Sequence, residues 1–353
     1  MNKLVIIGNG FDLAHDLKTK YSHFLLWYIN KAIIQLKSLG DYDDPLITLA
    51  PIENIRIFSL KSLEEFKHLH TTAKIDFKPK SDFIKKLFDH AIQYNWVDIE
   101  NQYYSSLIDI YEAIKDGHDI HRLNDLTELN ESLDYIKKLL TDYLSTIENI
   151  LHTDDEIMKH LFLSLDGNSN TRNMNEILFL NFNYTSTIKL YMDYLPNDLK
   201  IELNYIHGKL SDNNNPIIFG YGDEMDPYYE KIEHFNNNDF TKHMKSFEYL
   251  KTKNYQNFLR FVDSAGFDVY IMGHSCGLSD RILLNSIFEH PNCVRIKIYY
   301  YQKTKEQNDF TEKTQEISRH FKPSSKGDMR RKIVPFVDCE PLKMPIFQDE
   351  TIT

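Results

Sequence analysis

The sequence is poor in cysteine and has no long apolar run. Its 353 residues include only Cys276, Cys293 and Cys339, and no two of them form a C-x-x-C pair. A disulfide framework and a zinc ribbon are therefore disfavoured, and we expect free thiols and no bound metal. The apolar runs are too short to span a bilayer, and no signal-peptide pattern precedes the first of them. The sequence thus predicts a cytoplasmic protein with no membrane partner.

An excess of positive charge is also missing. The 41 Lys and Arg residues against 52 Asp and Glu residues give a formal net charge of -11, which disfavours a broad nucleic-acid surface. The basic stretch from Lys322 to Lys332 is a local exception that we interpret as solvated surface. Hydrophobic residues still make up 42% of the chain. We therefore expect a globular protein with two domains, or with one domain that carries an insertion.

The N-terminal segment has the pattern of strand, glycine turn and helix, extending to Phe24. Leu4 to Ile7 form a continuous apolar run, which is typical of a strand buried on both faces of a parallel sheet. The turn that follows, GNGFD, consists of Gly8, Asn9, Gly10, Phe11 and Asp12. Glycines let a ligand approach the backbone, and the amides at a helix start can hold a phosphate. The turn therefore predicts a nucleotide site, with an ordinary tight turn as the alternative.

This glycine turn departs from the dinucleotide-binding fingerprint in two ways. Leu13 stands where G-x-G-x-x-G has its third small residue. The carboxylate of Asp12 would repel a pyrophosphate, so we assign it to a ribose hydroxyl or a water molecule.

Helical periodicity dominates residues 25–170, and strand-like runs return after it. Those runs are Ile177–Phe182, Leu203–Ile206, Ile217–Phe219, Phe267–Met272 and Val294–Tyr301. The simplest architecture is an α/β fold whose parallel sheet is interrupted, after its first βα unit, by a large helical insertion. We predict a discontinuous nucleotide-binding domain of residues 1–24 and 171–335, a mainly helical insertion of residues 25–170, and an irregular tail of residues 336–353. Within the insertion, residues 41–80 are predicted to form loops or a small hairpin.

Three polar motifs follow the later strands. They are NFNYTSTI from Asn181, YIHGKLSD from Tyr205 and IMGHSCGLSD from Ile271. The carboxyl ends of parallel strands share one edge of a sheet, and ligands of such sheets normally bind there. We therefore expect these motifs to converge with GNGFD at one site. Taken singly, each motif has a structural alternative, because Asn forms turns and a buried His is commonly a hydrogen-bonded core residue.

Together with WVDIE from Trp96, these motifs resemble the bacterial abortive-infection AbiH family over nearly the whole chain. Their order is similar, more distantly, to sirtuin-like NAD-binding proteins, which implies a sirtuin-like Rossmann-type sheet. On that resemblance Gly8 and Gly10 match the phosphate turn, and Gly273 with Ser275 matches the adenosine-side turn. Asn183 and His207 match the catalytic residues. The family-level implication is phage defence by attack on NAD as the substrate.

The chemistry of NAD hydrolysis suits these residue types. Nicotinamide leaves from an oxocarbenium-like transition state, so positioning matters more than a strong nucleophile. The Asn183 amide can hold a water or a ribose hydroxyl, and a neutral His207 imidazole can accept a proton near pH 7. The further candidates for binding the nucleotide are Asn9, Phe11, Asp12, Thr185, His274 and Asp280. Trp96, Asp98 and Glu100 are candidates to face the same site, with core packing as the alternative for Trp96.

The sequence departs from the sirtuin pattern as well. Thr185 replaces an Asp, so the ribose contacts of sirtuins do not transfer directly. The four-cysteine zinc module of the deacylases is absent from the sequence, which disfavours protein deacylation and favours hydrolysis of NAD itself.

Two other function classes stay open. GHSCG, from Gly273 to Gly277, fits the G-x-S-x-G nucleophile elbow of serine hydrolases, with Asp309 and His320 following in the required order. Alternatively, the site binds a nucleotide as a signal and passes its state to a partner. We expect a small-molecule nucleotide ligand and a homo-oligomer, with a phage trigger or a partner defence protein as further partners.

Overall fold

The computed structural model describes residues 1–51, 59–72, 74–94, 98–117, 122–148, 176–195 and 199–343. The chain divides into two compact units, each assembled from separate stretches of sequence. The first unit consists of Met1–Leu17, Ile147–Ile218 and Lys245–Thr353, and the second consists of Lys18–Thr146 and Phe219–Met244. Among the described helices, none has the length and apolarity needed to cross a membrane.

The described strands are β1 (Asn2–Ile7), β2 (Tyr42–Asp43), β3 (Ile47–Pro51), β4 (Ile75–Pro79), β5 (Glu176–Asn181), β6 (Lys200–Tyr205), β7 (Phe267–Met272) and β8 (Cys293–Tyr299). The described α-helices are α1 (Asn9–Ala14), α2 (Tyr21–Leu39), α3 (Leu63–Thr71), α4 (Asp82–Tyr94), α5 (Ile99–Ile114), α6 (Leu123–Glu148), α7 (Pro227–His234), α8 (Lys245–Glu248), α9 (Asn254–Ser264), α10 (Arg281–Phe288), α11 (Phe310–Arg319) and α12 (Lys326–Lys332). Short 3-10 turns, including Thr187–Tyr194, lie between them.

The first unit is built on a five-stranded parallel sheet with strand order β6-β5-β1-β7-β8. Strand β1 lies at its centre, paired to β5 and β7, so that Ile7 stands beside Asn181 on one side and Met272 on the other. Numbered by chain order within this sheet, the strands run 3-2-1-4-5, which is the doubly wound Rossmann order. The predicted α/β class and parallel sheet are confirmed.

The apolar run that predicts β1 is buried on both faces of the sheet. Leu4 and Ile6 pack into a core under α9 and α10, whereas Val5 and Ile7 pack into a second core with Phe11 of α1. Burying side chains on both faces of a strand requires continuous hydrophobicity. This is why the N-terminal run lacks the alternation of a half-exposed strand.

The first helix is shorter than the sequence pattern predicts. Helix α1 ends at Ala14, and Asp16 adopts a left-handed backbone conformation with φ of 60°. A right-handed helix cannot continue through such a residue. The chain therefore breaks here, and helix α2 begins at Tyr21.

The predicted strand Ile217–Phe219 is wrong. These three residues are buried, but they join no ladder in the described part of the chain. The amide of Ile218 instead donates to the carbonyl oxygen of His207 at 2.8 Å. Tertiary burial, and not pairing with a strand, accounts for this apolar run.

The second unit combines helices with a three-stranded antiparallel sheet, β2-β3-β4, in the stretch for which loops or a hairpin were predicted. Helices α5 and α6 each bury an apolar face, which includes Tyr103, Leu107 and Leu140. Phe219–Met244 also belongs to this unit. Its Tyr221 ring stacks on Tyr104 of α5 with ring centroids 3.8 Å apart. No pattern in the sequence separates this stretch from the strands around it.

The contact-based boundaries differ from those expected from periodicity. The first stretch of the sheet-containing unit ends at Leu17, where 24 was expected, and its second stretch begins at Ile147, where 171 was expected. The tail after Pro335 has one 3-10 turn, Phe336–Asp338, and is otherwise irregular as far as residue 343. It packs along β8, since Leu342 donates its amide to the carbonyl oxygen of Tyr300 at 2.8 Å. Residues 344–353 of the tail lie outside the described residues.

Candidate active site

The carboxyl ends of four neighbouring strands bring the polar motifs together. Gly8 follows β1, Asn183 follows β5, His207 follows β6 and Gly273 follows β7. The amide of Phe182 donates to the carbonyl oxygen of Ile7 at 2.9 Å, which locks the end of β5 to the end of β1. The convergence expected from the motifs is therefore present in the structure. In a doubly wound sheet, ligands bind in the crevice at this edge, where the strand order reverses.

The glycine turn packs directly against the loop after β7. The amide of Gly10 donates to the carbonyl oxygen of Gly273 at 2.8 Å, and the amide of Gly8 donates to that of Met272 at 3.1 Å. A Cβ atom on Gly8 would lie 2.4 Å from Cα of His274, and one on Gly273 would lie 2.1 Å from the amide nitrogen of Phe11. Only glycine permits this approach, so the glycines hold two loops together. We call this contact the glycine seam.

The glycine seam changes the interpretation of the turn as a phosphate cradle. The amides of Gly8 and Gly10 donate to the protein's own carbonyl groups, so in this conformation neither can bind a phosphate. Asn9 opens helix α1, and the Phe11 side chain is fully buried against His15 and Tyr191. A ligand can use the Gly10 amide only if the loop after β7 moves.

A first group of buried polar side chains surrounds Asp12; we call it the Asp12 cluster. Its members are Asp12, Asn183, Thr185, Thr187 and Tyr205. The hydroxyl of Thr185 donates to Oδ2 of Asp12 at 2.7 Å, and the hydroxyl of Thr187 lies 3.3 Å from that of Thr185. The Asn183 amide donates from Nδ2 to the carbonyl oxygen of Gly8 at 3.0 Å. Side chains from the segments after β1 and β5 thus meet here, and Tyr205 is the last residue of β6.

The Asp12 cluster leaves polar atoms unsatisfied. Oδ1 of Asp12 and the hydroxyl oxygen of Tyr205 are buried, and neither has a hydrogen-bond partner in the described residues. Burial raises the pKa of the Asp12 carboxyl from 3.8 to about 6, although the hydrogen bond from Thr185 opposes the shift. At neutral pH the carboxyl is mostly ionised and able to accept a proton.

A second group surrounds Asp280; we call it the Asp280 cluster. Its members are His207, Lys245, Tyr249, His274 and Asp280. Lys245 is fully buried, and its ammonium lies 2.8 Å from Oδ1 of Asp280. Nε2 of His207 lies 3.2 Å from the same oxygen, and Nε2 of His274 lies 3.5 Å from Oδ2. Burial alone would raise the pKa of the Asp280 carboxyl, but Lys245 and His207 hold it well below its usual range.

The hydrogen bonds of the Asp280 cluster indicate where the imidazole protons reside. The amide of Cys276 donates to Nδ1 of His274 at 2.9 Å, so the neutral ring carries its proton on Nε2, toward Asp280. For His207, burial and the nearby Lys245 ammonium lower the pKa to about 4. His207 is therefore neutral at pH 7, as expected, but it is a weaker base than a histidine near its ordinary pKa.

Phe182 and Asn183 connect the two clusters. The Phe182 ring contacts both imidazoles, with its centroid 4.9 Å from that of His207 and 4.3 Å from that of His274. Asn183 follows it directly, and its amide reaches the carbonyl oxygen of Gly8. The segment after β5 therefore passes between the Asp280 cluster and the Asp12 cluster at the carboxyl edge of the sheet.

Comparison with known proteins agrees with this architecture. The family model described as bacteriophage abortive infection AbiH matches residues 4–302. The chain belongs to the AbiH family. Membership implies a function in bacteriophage abortive infection, and the matched range contains every member of both clusters. No curated protein matches the chain.

The serine-hydrolase motif of this AbiH chain does not form a catalytic triad. Ser275 is exposed, and the left-handed residue of the turn is Cys276, with φ of 58°. Nε2 of His320 bonds to the carbonyl oxygen of Cys276 at 2.8 Å, while Asp309 accepts from the amide of Tyr301. An elbow instead needs a strained serine whose hydroxyl is bonded to the histidine. Cys276 is no substitute, because burial raises its thiol pKa to about 12.

The described acidic side chains of the WVDIE motif make hydrogen bonds within the fold. Trp96 lies outside the described residues. Oδ1 of Asp98 accepts from the amide of Asn101 at 3.0 Å and thereby caps helix α5. The buried Glu100 accepts from the amide of Gly220 at 3.0 Å. These contacts hold the second unit of the AbiH chain together internally.

Sequence reasoning missed Lys245, Tyr249, Thr187 and Tyr205. Lys245 lies in a polar stretch among other lysines, and no local pattern distinguishes a buried ammonium from an exposed one. Asp280 is one of the sequence candidates for binding the nucleotide. It stands at the start of α10 without making a capping bond, and its carboxylate turns to Lys245. Thr185, another sequence candidate for binding the nucleotide, donates its hydroxyl to Oδ2 of Asp12.

Proposed function

We propose that this AbiH protein hydrolyses the bond between nicotinamide and ribose in NAD, and so depletes NAD during phage infection. One observation carries the proposal: Asn183 and a neutral, buried His207 stand at the ends of neighbouring strands, beside the switch point of a doubly wound sheet. Such a sheet binds dinucleotides at that point.

The two residues have complementary roles in this proposal. Nδ2 of Asn183 donates to the carbonyl oxygen of Gly8, which fixes the amide and directs its oxygen as an acceptor. Nε2 of His207 is held by Asp280 and Tyr249, whereas its Nδ1 has no partner in the described part of the chain. An amide oxygen and an imidazole nitrogen can hold the hydroxyl groups of a ribose. The departing nicotinamide needs little further help, because it leaves as a neutral molecule.

The glycine seam supports a protein that is idle before infection. Both glycine amides are occupied by carbonyl groups of the protein, so the pyrophosphate must displace the loop after β7 to reach the Gly10 amide. A trigger that moves this loop would expose amides at the start of α1, where anions bind favourably. An NADase that must not act in healthy cells needs such a closed resting state.

The test follows NAD in infected cells. Bacteria that carry the wild-type protein, His207→Gln, Asn183→Ala or Ser275→Ala are challenged with a panel of phages. Plaque numbers are counted, and NAD, nicotinamide and ADP-ribose are quantified by mass spectrometry. Ser275→Ala tests the serine-hydrolase alternative, because Ser275 is exposed, lies at the same sheet edge and belongs to neither cluster.

We expect NAD to fall, and nicotinamide and ADP-ribose to rise together, in wild-type and Ser275→Ala cells that resist a phage. His207→Gln and Asn183→Ala should each slow NAD loss by about 100-fold, the contribution of a well-placed polar catalytic group. Resistance with unchanged NAD would overturn the proposal. So would resistance that is lost only with Ser275→Ala, which would favour the hydrolase. Binding of NAD to purified protein without turnover in resistant cells would favour the sensor.

A further inference from the structure

The Asp12 cluster contains two buried polar atoms for which the fold supplies no partner. Asp12 is 2% exposed and Tyr205 is 7% exposed, yet Oδ1 of the carboxyl and the phenol oxygen are unpaired in the described residues. Buried polar atoms in folded proteins almost always have partners, and leaving one without a partner costs about 1–3 kcal/mol. An ionisable oxygen that is buried and without a partner is a position at which a polar molecule can bind during function.

The carboxyl of Asp12 is held so that one oxygen remains available. Oδ2 accepts from Thr185, which the Thr187 hydroxyl supports in turn. Burial raises the pKa of the Tyr205 hydroxyl, and the charges of Glu148 and Asp12 raise it further. Glu148 itself is occupied, since it accepts from the amide and hydroxyl of Ser186. Oδ1 of Asp12 is therefore the ionised oxygen left to meet a ligand.

We propose that Asp12 is the general base of the reaction, and that Tyr205 helps hold the attacking water. This inference rests on the proposed hydrolysis of NAD. The water oxygen forms a bond to C1′ of the ribose while the bond from C1′ to the nicotinamide nitrogen breaks. The electron pair of that bond leaves with the nicotinamide. The proton of the water passes to Oδ1 of Asp12 and then to solvent, so that ADP-ribose, nicotinamide and a proton are the products.

Asp12 suits this role better than His207 does. Nε2 of His207 is already engaged by Asp280 and Tyr249. Burial lowers the pKa of His207 to about 4, whereas burial raises the pKa of Asp12 to about 6. A general base works best when its pKa lies just below the working pH, because it is then both ionised and basic. His207 accordingly positions the ribose, and Asp12 takes the proton.

The experiment measures the pH dependence of nicotinamide release by protein purified from phage-infected cells. Asp12→Asn keeps the size of the side chain and removes the base. Asp12→Glu keeps a carboxyl but displaces it by one methylene. Asp16→Asn is the matched control, because Asp16 lies just beyond the end of α1, is exposed and belongs to neither cluster. Tyr205→Phe removes the second unpaired atom.

For the wild type and Asp16→Asn, we expect kcat/KM to rise tenfold per pH unit below about pH 6 and to level off above it. We call the rising part of this pH profile the acidic limb. Asp12→Asn should lose at least about 100-fold in activity and all of this acidic limb. Asp12→Glu should be slower but keep a limb at a shifted pH, and Tyr205→Phe should have a smaller loss with the limb unchanged. An acidic limb that survives in Asp12→Asn would overturn the inference. If that variant does not fold, an unshifted limb in Asp12→Glu would overturn it.

The failure of the inference is distinguishable from the failure of the proposed function. If the wild-type protein from resistant, infected cells releases no nicotinamide, the NADase proposal fails, and the role of Asp12 fails with it. If the wild type is active and Asp12→Asn matches it in rate and pH profile, only the inference about Asp12 fails.

Discussion

The two polar clusters of the sheet-containing unit are built on opposite principles. In the Asp280 cluster a carboxylate is surrounded by Lys245, His207 and His274, so that each buried charge has a partner. In the Asp12 cluster a carboxylate of similar burial has no cation beside it among the described residues and keeps one oxygen unpaired. The first arrangement fixes side chains in place. The second leaves one carboxylate oxygen unpaired, as the proposed general base requires.

The largest loss of stability is expected from removing the cation of the Asp280 cluster. Lys245→Met leaves Asp280 buried and without its ammonium partner, which should lower the free energy of unfolding by about 3–5 kcal/mol. Urea denaturation measures the change. The control is Lys251→Met, because Lys251 pairs with Glu248 at the surface, where an ion pair contributes less than about 1 kcal/mol. Similar losses in the two variants would show that the paired cluster is not a structural centre.

Substitution in the glycine seam, which joins the two clusters, should lower the free energy of unfolding nearly as much. Gly273 has φ of 76°, and an added Cβ would lie 2.1 Å from the amide nitrogen of Phe11. Gly273→Ala should therefore lower the melting temperature strongly, with a loss of about 3–4 kcal/mol in unfolding free energy. Gly277→Ala is the control, since its Cβ would meet only Ser275 Oγ, at 3.7 Å. The seam is not a tight contact if both variants melt alike.

Acid should weaken the protein through His207. Its pKa is lowered from 6.5 to about 4 by burial and by Lys245, so the unfolded chain takes up a proton that the folded chain does not. Unfolding free energy should fall by about 3 kcal/mol from this group as pH drops from 6.5 to 4. His207→Gln should reduce that fall, measured by urea titrations at several pH values. The slope will not vanish, because burial also lowers the pKa of His320 to about 4.

The Asp12 cluster should respond to pH in the opposite sense. The folded protein binds the Asp12 proton more tightly than the unfolded chain, since burial raises the pKa from 3.8 to about 6. This group therefore contributes stability at low pH that is lost as pH rises from about 4 to about 6, by about 3 kcal/mol. Asp12→Asn should remove this loss and be relatively more stable than the wild type at pH 8. An unchanged pH profile would show that Asp12 is not a buried base.

The smallest effect is expected outside both clusters. Ser275 is exposed and makes no triad with His320, so Ser275→Ala should change unfolding free energy by no more than about 0.5 kcal/mol. Phage resistance and NAD loss should stay at wild-type levels, and a serine-reactive phosphonate should not label the protein. Labelling at Ser275 together with lost resistance would contradict the contrast between the clusters and the exposed loop.

The fold was more predictable than the site. The runs around Val5 and Phe179 predict central strands, because a strand buried on both faces must be apolar throughout. The same reasoning wrongly predicts a strand at Ile217–Phe219, since an apolar run can also be buried without a strand beside it. The site motifs were recognisable because turns after parallel strands share one edge. The side chains that pair with these motifs could not be predicted, because whether a lysine is buried depends on residues distant in sequence.

The sequence by itself determined the α/β class, the parallel sheet and the edge at which GNGFD, Asn183, His207 and Gly273 meet, because these follow from local hydrophobicity and from turns at strand ends. Only the tertiary structure decided that Gly273 closes the glycine turn, that Lys245 neutralises Asp280, and that Asp12 keeps an unpaired oxygen. The physical reason is that burial and pairing are properties of three-dimensional neighbours. A carboxylate 35 residues from its lysine and another 173 residues from its threonine have the same local sequence signal as any surface acid.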